Sequence, residues 1–103
     1  MNYLLAYTGG GMAQTEAERE AAMVAWRDWL GGLGEALVDA GNPFGPSSSA
    51  TAEGTAGGAV SSGLTGYSIV KADDLAAATG LAKGCPIFAG GGGVDVYEAI
   101  PVM

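Results

Sequence analysis

Residues Thr15 to Gly45, TEAEREAAMVAWRDWLGGLGEALVDAGNPFG, constrain the fold more than any other stretch: they carry an apolar stripe at helical spacing between a marked start and a marked stop. At 100° per residue, Ala22, Met23, Trp26, Trp29, Leu30, Leu33, Ala36, Leu37 and Ala40 fall on one arc, and Arg27, Asp28, Glu35 and Asp39 lie outside it. The spacing predicts one long amphipathic helix packed along one side only. Thr15 followed by Glu18 fits the capping box that satisfies helix N-terminal amides, and Gly41 with Pro43 supplies the stop. Gly31, Gly32 and Gly34 each weaken such a helix by about 1 kcal/mol relative to alanine. A close backbone contact or simple tolerance is the expected reason for them.

A helix with one apolar side needs a sheet to cover, and the remaining segments provide strands. Asn2 to Tyr7 sets Tyr3, Leu5 and Tyr7 on one face and Leu4 and Ala6 on the other, so both faces are apolar and the strand is expected to be covered twice. Thr8 to Gln14 is a glycine-rich connection. Gly66 to Ala72 alternates Tyr67, Ile69 and Lys71 with Ser68, Val70 and Ala72. Asp73 then caps a second helix that runs to about Lys83, with Leu75, Ala78 and Ala82 on its buried stripe. Gly84 closes that helix, Cys85-Pro86 leaves it extended, and Ile87 to Gly93 is a glycine-rich loop. Gly93 to Val102 is the last strand, with Glu98 on the face of Val94, Val96, Ile100 and Val102. A carboxylate among valines calls for a partner or an open edge. Asp95, Tyr97 and Ala99 take the opposite face. Between Phe44 and Leu64 the composition shifts to Ser, Ala, Thr and Gly, and residues 48–62 are the least defined part. A short strand and an exposed hairpin or loop are expected there, with turn signals at Glu53-Gly54 and Gly57-Gly58.

Strand, helix, strand, a poorly defined strand or hairpin, helix, strand suggests the split βαβ order of the ferredoxin-like fold, a single α+β domain over 1–103. Two helices cover one face of such a sheet. Tyr3, Leu5, Tyr7, Tyr67, Ile69 and Tyr97 are expected to build a second apolar face of the size that marks an interaction surface. Two sheets packed face to face in a homodimer would hide it.

Composition narrows the function. Eleven acidic residues against four basic ones give −7, which opposes binding to a phosphate backbone or an anionic membrane surface. No apolar run approaches the roughly 20 residues that span a bilayer, and MNYLLAY lacks the basic start of a secretory signal. A cytoplasmic protein without nucleic-acid or membrane partners is the expectation. One cysteine and no histidine leave neither an intramolecular disulfide nor an ordinary zinc site, and neither a metal nor a cofactor is expected. The Gly9-Gly10-Gly11 run lacks the residues of a phosphate loop and serves as a connector.

YLLAY, the Trp-containing helix ending LVDAGNPFGPS, LTGYSIVKADDLAAATGLAKGCPIF and GGGGVDVYEAIPVM together resemble the YCII-related family. The likeness runs almost end to end and is weakest from Ser48 to Ser62. It implies a dimeric α+β barrel. Some members of that family share a His–Asp pair near the dimer pocket. The resemblance sets the aspartate at Asp39, while the position of the histidine falls near Trp29, which offers stacking and an indole N–H but no proton acceptor. Any mechanism with imidazole as base is closed to this chain.

The candidate ligand-binding residues are therefore Trp26, Trp29, Asp39, Asn42, Tyr67 and Tyr97, and Asp39 is the weak catalytic candidate. Each has a plainer role. The tryptophans pack, Asp39 ends a helix in solvent, Asn42 bends a turn, and the tyrosines pack at an interface. Cys85 lacks a neighbouring base, and burial at the helix exit is the simpler role. The leading expectation is a small homodimer that binds an undefined small molecule beside the sheet, with weak or vestigial enzymatic chemistry. The alternatives are a non-enzymatic assembly or accessory domain and a cofactor-independent oxygenase- or isomerase-like enzyme.

Overall fold

The computed structural model describes residues 1–10, 15–57 and 63–102. Strand β1 (Asn2–Thr8) leads to helix α1 (Glu16–Leu33), a 3-10 turn (Gly34–Ala36) and strand β2 (Leu37–Asp39). The hairpin β3 (Ser48–Thr51) and β4 (Gly54–Gly57) follows, then β5 (Leu64–Lys71), α2 (Leu75–Ala82), a 3-10 turn (Pro86–Gly90) and β6 (Gly93–Ala99). Four strands form one antiparallel sheet in the order β2-β5-β1-β6, and β3-β4 forms a separate two-stranded sheet. The result is a small α+β domain whose strand order is compatible with a ferredoxin-like fold. No helix among the described residues is long and apolar enough to cross a membrane. The Gly11 to Gln14 part of the first connection and the Gly58 side of the expected Gly57-Gly58 turn lie outside the described residues.

The long helix expected over Thr15 to Gly45 ends instead at Leu33, and Leu37–Asp39 pairs with β5. Gly34 stops it at φ +56°, where its N–H donates to the Gly31 carbonyl. A side chain resists that backbone angle and glycine does not, so the glycines of this segment mark the break. Leu37 and Val38 then gain a ladder against β5 that a helix would forgo. The helix start is as expected, with the Glu18 N–H donating to Thr15 Oγ1 at 3.1 Å. The second helix is capped one residue later than expected, by Asp74 rather than Asp73: Asp74 Oδ1 accepts the Ala77 N–H at 2.8 Å. Leu75 thereby becomes the first helical residue and is exposed, while Ala78 and Ala82 are buried. The last strand stops at Ala99, opposite Asn2 where β1 begins, so Ile100 to Val102 have no partner strand.

Register decides which side chains form the core. Leu5 lies opposite Ser68 and Val96, and Tyr3 opposite Val70 and Glu98. Tyr3, Leu5, Tyr7, Ser68 and Val70 therefore face the helices, where Ala78, Ala82, Cys85 and Ile87 close over them. This corrects the expected second apolar face. Tyr3, Leu5 and Tyr7 are not on it, and what remains there is Leu4, Ala6, Tyr67, Ile69 and Tyr97. The principal extents are 43 × 41 × 18 Å. A thickness of 18 Å is that of one sheet and one helical layer, so no described helix covers the second face, where Tyr97 is exposed, Leu4, Tyr67 and Ile69 are partly exposed and the small Ala6 is buried among them. Glu98 meets the open edge its position among valines called for, since β6 is an outer strand of the sheet and Glu98 is exposed.

Candidate functional site

Trp26, Trp29 and Leu33 lean on the core, yet no residue of α1 is fully buried, and Met23 is 57% exposed. Beyond β2 the chain continues along β5. Asn42 O accepts the Tyr67 N–H at 3.3 Å, and the Phe44 N–H donates to Thr65 O at 2.9 Å. Between that segment and α1 lies a cleft of about 670 Å³. Its helical wall is Arg19, Ala22, Met23, Trp26, Arg27 and Leu30. Ala40 to Pro43 and Thr65 to Ser68 form the other wall, and Tyr7 reaches it from β1. The volume lies within the range of small-molecule sites, about 300–1,000 Å³.

Two local features fix the far wall. Asp39 Oδ1 accepts the Gly41 N–H at 2.8 Å, which folds the chain back immediately after β2. Gly41 sits at φ +75°, and a Cβ on it would land on the Tyr67 carbonyl oxygen, so this close approach admits glycine alone. Tyr7 and Ser68 then anchor the wall to the sheet. The Tyr7 hydroxyl donates to Ser68 Oγ at 2.7 Å, and Ser68 Oγ donates to the Ala40 carbonyl at 2.6 Å. Ser68 is 1% exposed, a polar side chain held in the core by two satisfied bonds. Among the described residues no buried side-chain polar atom lacks a hydrogen bond.

The chemistry of the cleft is aromatic and cationic. Tyr7 and Trp26 meet edge to face with centroids 5.1 Å apart. Burial pushes the Tyr7 phenol up to about 12, against a smaller opposing pull from the Ser68 hydrogen bond. At neutral pH Tyr7 is thus a proton donor and not a base. Among the described lining residues there is no carboxylate, thiol or imidazole.

Of the residues singled out from sequence, Trp26 and Asn42 border the cleft, and Tyr67 borders it by its position on β5 while the register turns its side chain to the other face of the sheet. The ring of Tyr67 also stacks on Phe44, with centroids 5.8 Å apart. Trp29 lies behind Trp26, at 5.7 Å edge to face, and its indole N–H donates to Leu81 O at 3.3 Å, tying α1 to the end of α2. Asp39 is exposed and engaged in the turn. Tyr97 is 57% exposed on the uncovered sheet face, away from the cleft. Cys85 is buried at the exit of α2, and burial pushes its thiol up, which suppresses the nucleophilic thiolate.

Sequence reasoning missed Tyr7, Ser68, Arg19 and Arg27 as cleft residues. Tyr7 and Ser68 meet across 61 positions of chain, which no local pattern encodes. The arginines did leave a signal: Arg19, Met23 and Arg27 recur at intervals of four and line one side of α1. No protein-family model matches this chain, and neither a curated protein nor a solved structure matches it.

Proposed function

We propose that the cleft between α1 and β5 binds a small, largely apolar organic molecule, in a YCII-like homodimer whose subunits pair through the uncovered sheet face. One observation carries the ligand reading. The cleft sits beside a satisfied core, is walled by Trp26, Met23 and Leu30, and holds enough space for a molecule of one or two rings. Apolar concavities with a few fixed polar groups are the usual form of small-molecule sites. Binding is favoured over acid–base turnover, because the only titratable groups among the described lining residues are two arginines and tyrosine side chains. Exposed Phe44, Val38 and Tyr97, with Leu4 and Ile69 between them, support pairing of the bare face.

Ligand-observed NMR against a library of one- and two-ring compounds tests the cleft. Hits are expected with the wild type, and Trp26→Leu should weaken them about tenfold or more by removing the stacking surface. A library that yields no hit, or hits indifferent to Trp26→Leu, contradicts the proposal. Sedimentation equilibrium at micromolar concentration tests the pairing, and a single-subunit mass throughout would refute it.

A further inference from the structure

The chain has four basic residues, and two of them, Arg19 and Arg27, line this cleft while the net charge is −7. With eleven carboxylates in the chain, the simplest fate of an arginine is an ion pair with one of them. Among the described residues neither guanidinium has such a partner. Both stand on the same wall, one helical turn either side of Met23, so that Trp26 lies on the wall between two exposed positive charges. The opposite wall contributes backbone and uncharged side chains from Ala40 to Pro43. The cleft therefore concentrates positive charge against an acidic background, beside an aromatic floor.

We infer that the molecule taken up in this cleft is an organic acid: an aromatic or aliphatic body against Trp26 and Met23, with a carboxylate or similar small anion held by Arg19 and Arg27. This rests on the cleft being a binding site at all. Guanidinium is the group suited to it, since its planar fork meets a carboxylate with two parallel hydrogen bonds and stays charged at every physiological pH. The protein's overall charge repels anions, and α1 itself carries Glu16, Glu18, Glu20 and Asp28, so uptake of an acid depends on the two arginines being the charged groups that line the cleft. The alternative role for such arginines is to lay their aliphatic stems over the apolar wall while the charges sit idle in water.

Matched probes separate the two roles. 2-Naphthoate and its neutral amide, 2-naphthamide, share size and ring system and differ in charge. Titration followed by tryptophan quenching and calorimetry should show the acid binding about tenfold more tightly than the amide at low ionic strength, the scale expected of two partly exposed charge contacts. Added salt should weaken the acid and leave the amide unchanged. The Arg19→Gln/Arg27→Gln double variant keeps most of the stem length and should bring the acid down to the level of the amide. Lysine at both positions should restore most of the difference. Equal binding of the two probes by the wild type overturns the inference and leaves the cleft intact as a site. So does an equal loss for both probes in the glutamine variant, which would assign the arginines to packing. Failure of both probes to bind overturns the cleft itself, and the inference with it.

Discussion

The two faces of the four-stranded sheet both carry apolar residues and are covered unequally. On one, Tyr3, Leu5 and Val70 are at most 2% exposed under the helices and the Pro86–Gly90 turn. On the other, Tyr97 is 57% exposed, and Val38 and Phe44 are close to half exposed. Apolar patterning thus sets where a sheet face can be covered, and topology sets where it is. Two helices crossing the same side leave the far side to whatever meets it from outside. The cleft lies at the boundary of this division, on the covered face, where α1 stops short of the β2-β5 edge. Its partial cover is what makes it accessible.

Substitutions on the two faces should separate them sharply. Leu5→Ala removes a fully buried side chain and should destabilise the fold by about 2–5 kcal/mol in urea melts. A loss below about 1 kcal/mol would mean that the covered face is not the core. Gly41→Ala should follow, at more than about 2 kcal/mol, because it combines an unfavourable backbone angle with a collision at the Tyr67 carbonyl. Wild-type stability in that variant would contradict the close approach of the cleft wall.

Tyr7→Phe leaves Ser68 without its donor and should lose about 1 kcal/mol at neutral pH. Its alkaline behaviour is more telling. The phenol is raised from 10.0 to about 12 in the fold, so the stability gained by keeping it protonated is complete below pH 10 and is lost as pH rises through about 12. Wild type should lose on the order of 1–2 kcal/mol across that window after solvent screening, a component that Tyr7→Phe lacks. Parallel curves for the two proteins above pH 10 would show that Tyr7 is not buried as described. Tyr97→Ser on the bare face should change subunit stability by less than about 0.5 kcal/mol while weakening self-association in sedimentation equilibrium. An unaltered association constant would remove that face from the pairing.

The same contrast explains what could be read from the chain alone. The strands expected at Asn2–Tyr7 and Gly66–Ala72 form as Asn2–Thr8 and Leu64–Lys71, their apolar and aromatic runs marking them to within two residues. For Phe44 to Leu64 a hairpin and a loop both stayed open, and the Glu53-Gly54 signal was too weak to choose the hairpin that Ser48–Gly57 forms. Leu37–Asp39 was not, since three residues fit a helical arc as readily as a strand, and only the glycines before them hinted at the break. Alternation also placed Tyr3, Leu5 and Tyr7 together without saying which side the helices would take. That depends on Leu5 lying opposite Ser68, a pairing between distant segments. The cleft inherits the same limit. Trp26, Asn42 and Tyr67 were singled out by type, whereas Asp39 was placed from a helix that ends before it, and Tyr7 and Ser68 become neighbours only once the register is set.

The most direct test of the cleft as the working site is a map of amide and indole N–H shifts by NMR while a bound one- or two-ring compound is titrated in. Perturbations should gather at the Trp26 indole, at Met23 and Leu30, and along Asn42 and Thr65 to Ser68, with the Trp29 indole little changed. Shifts gathered instead around Tyr97, Val38 and Phe44, with Trp26 silent, would contradict the account and move the binding surface to the open side of the sheet.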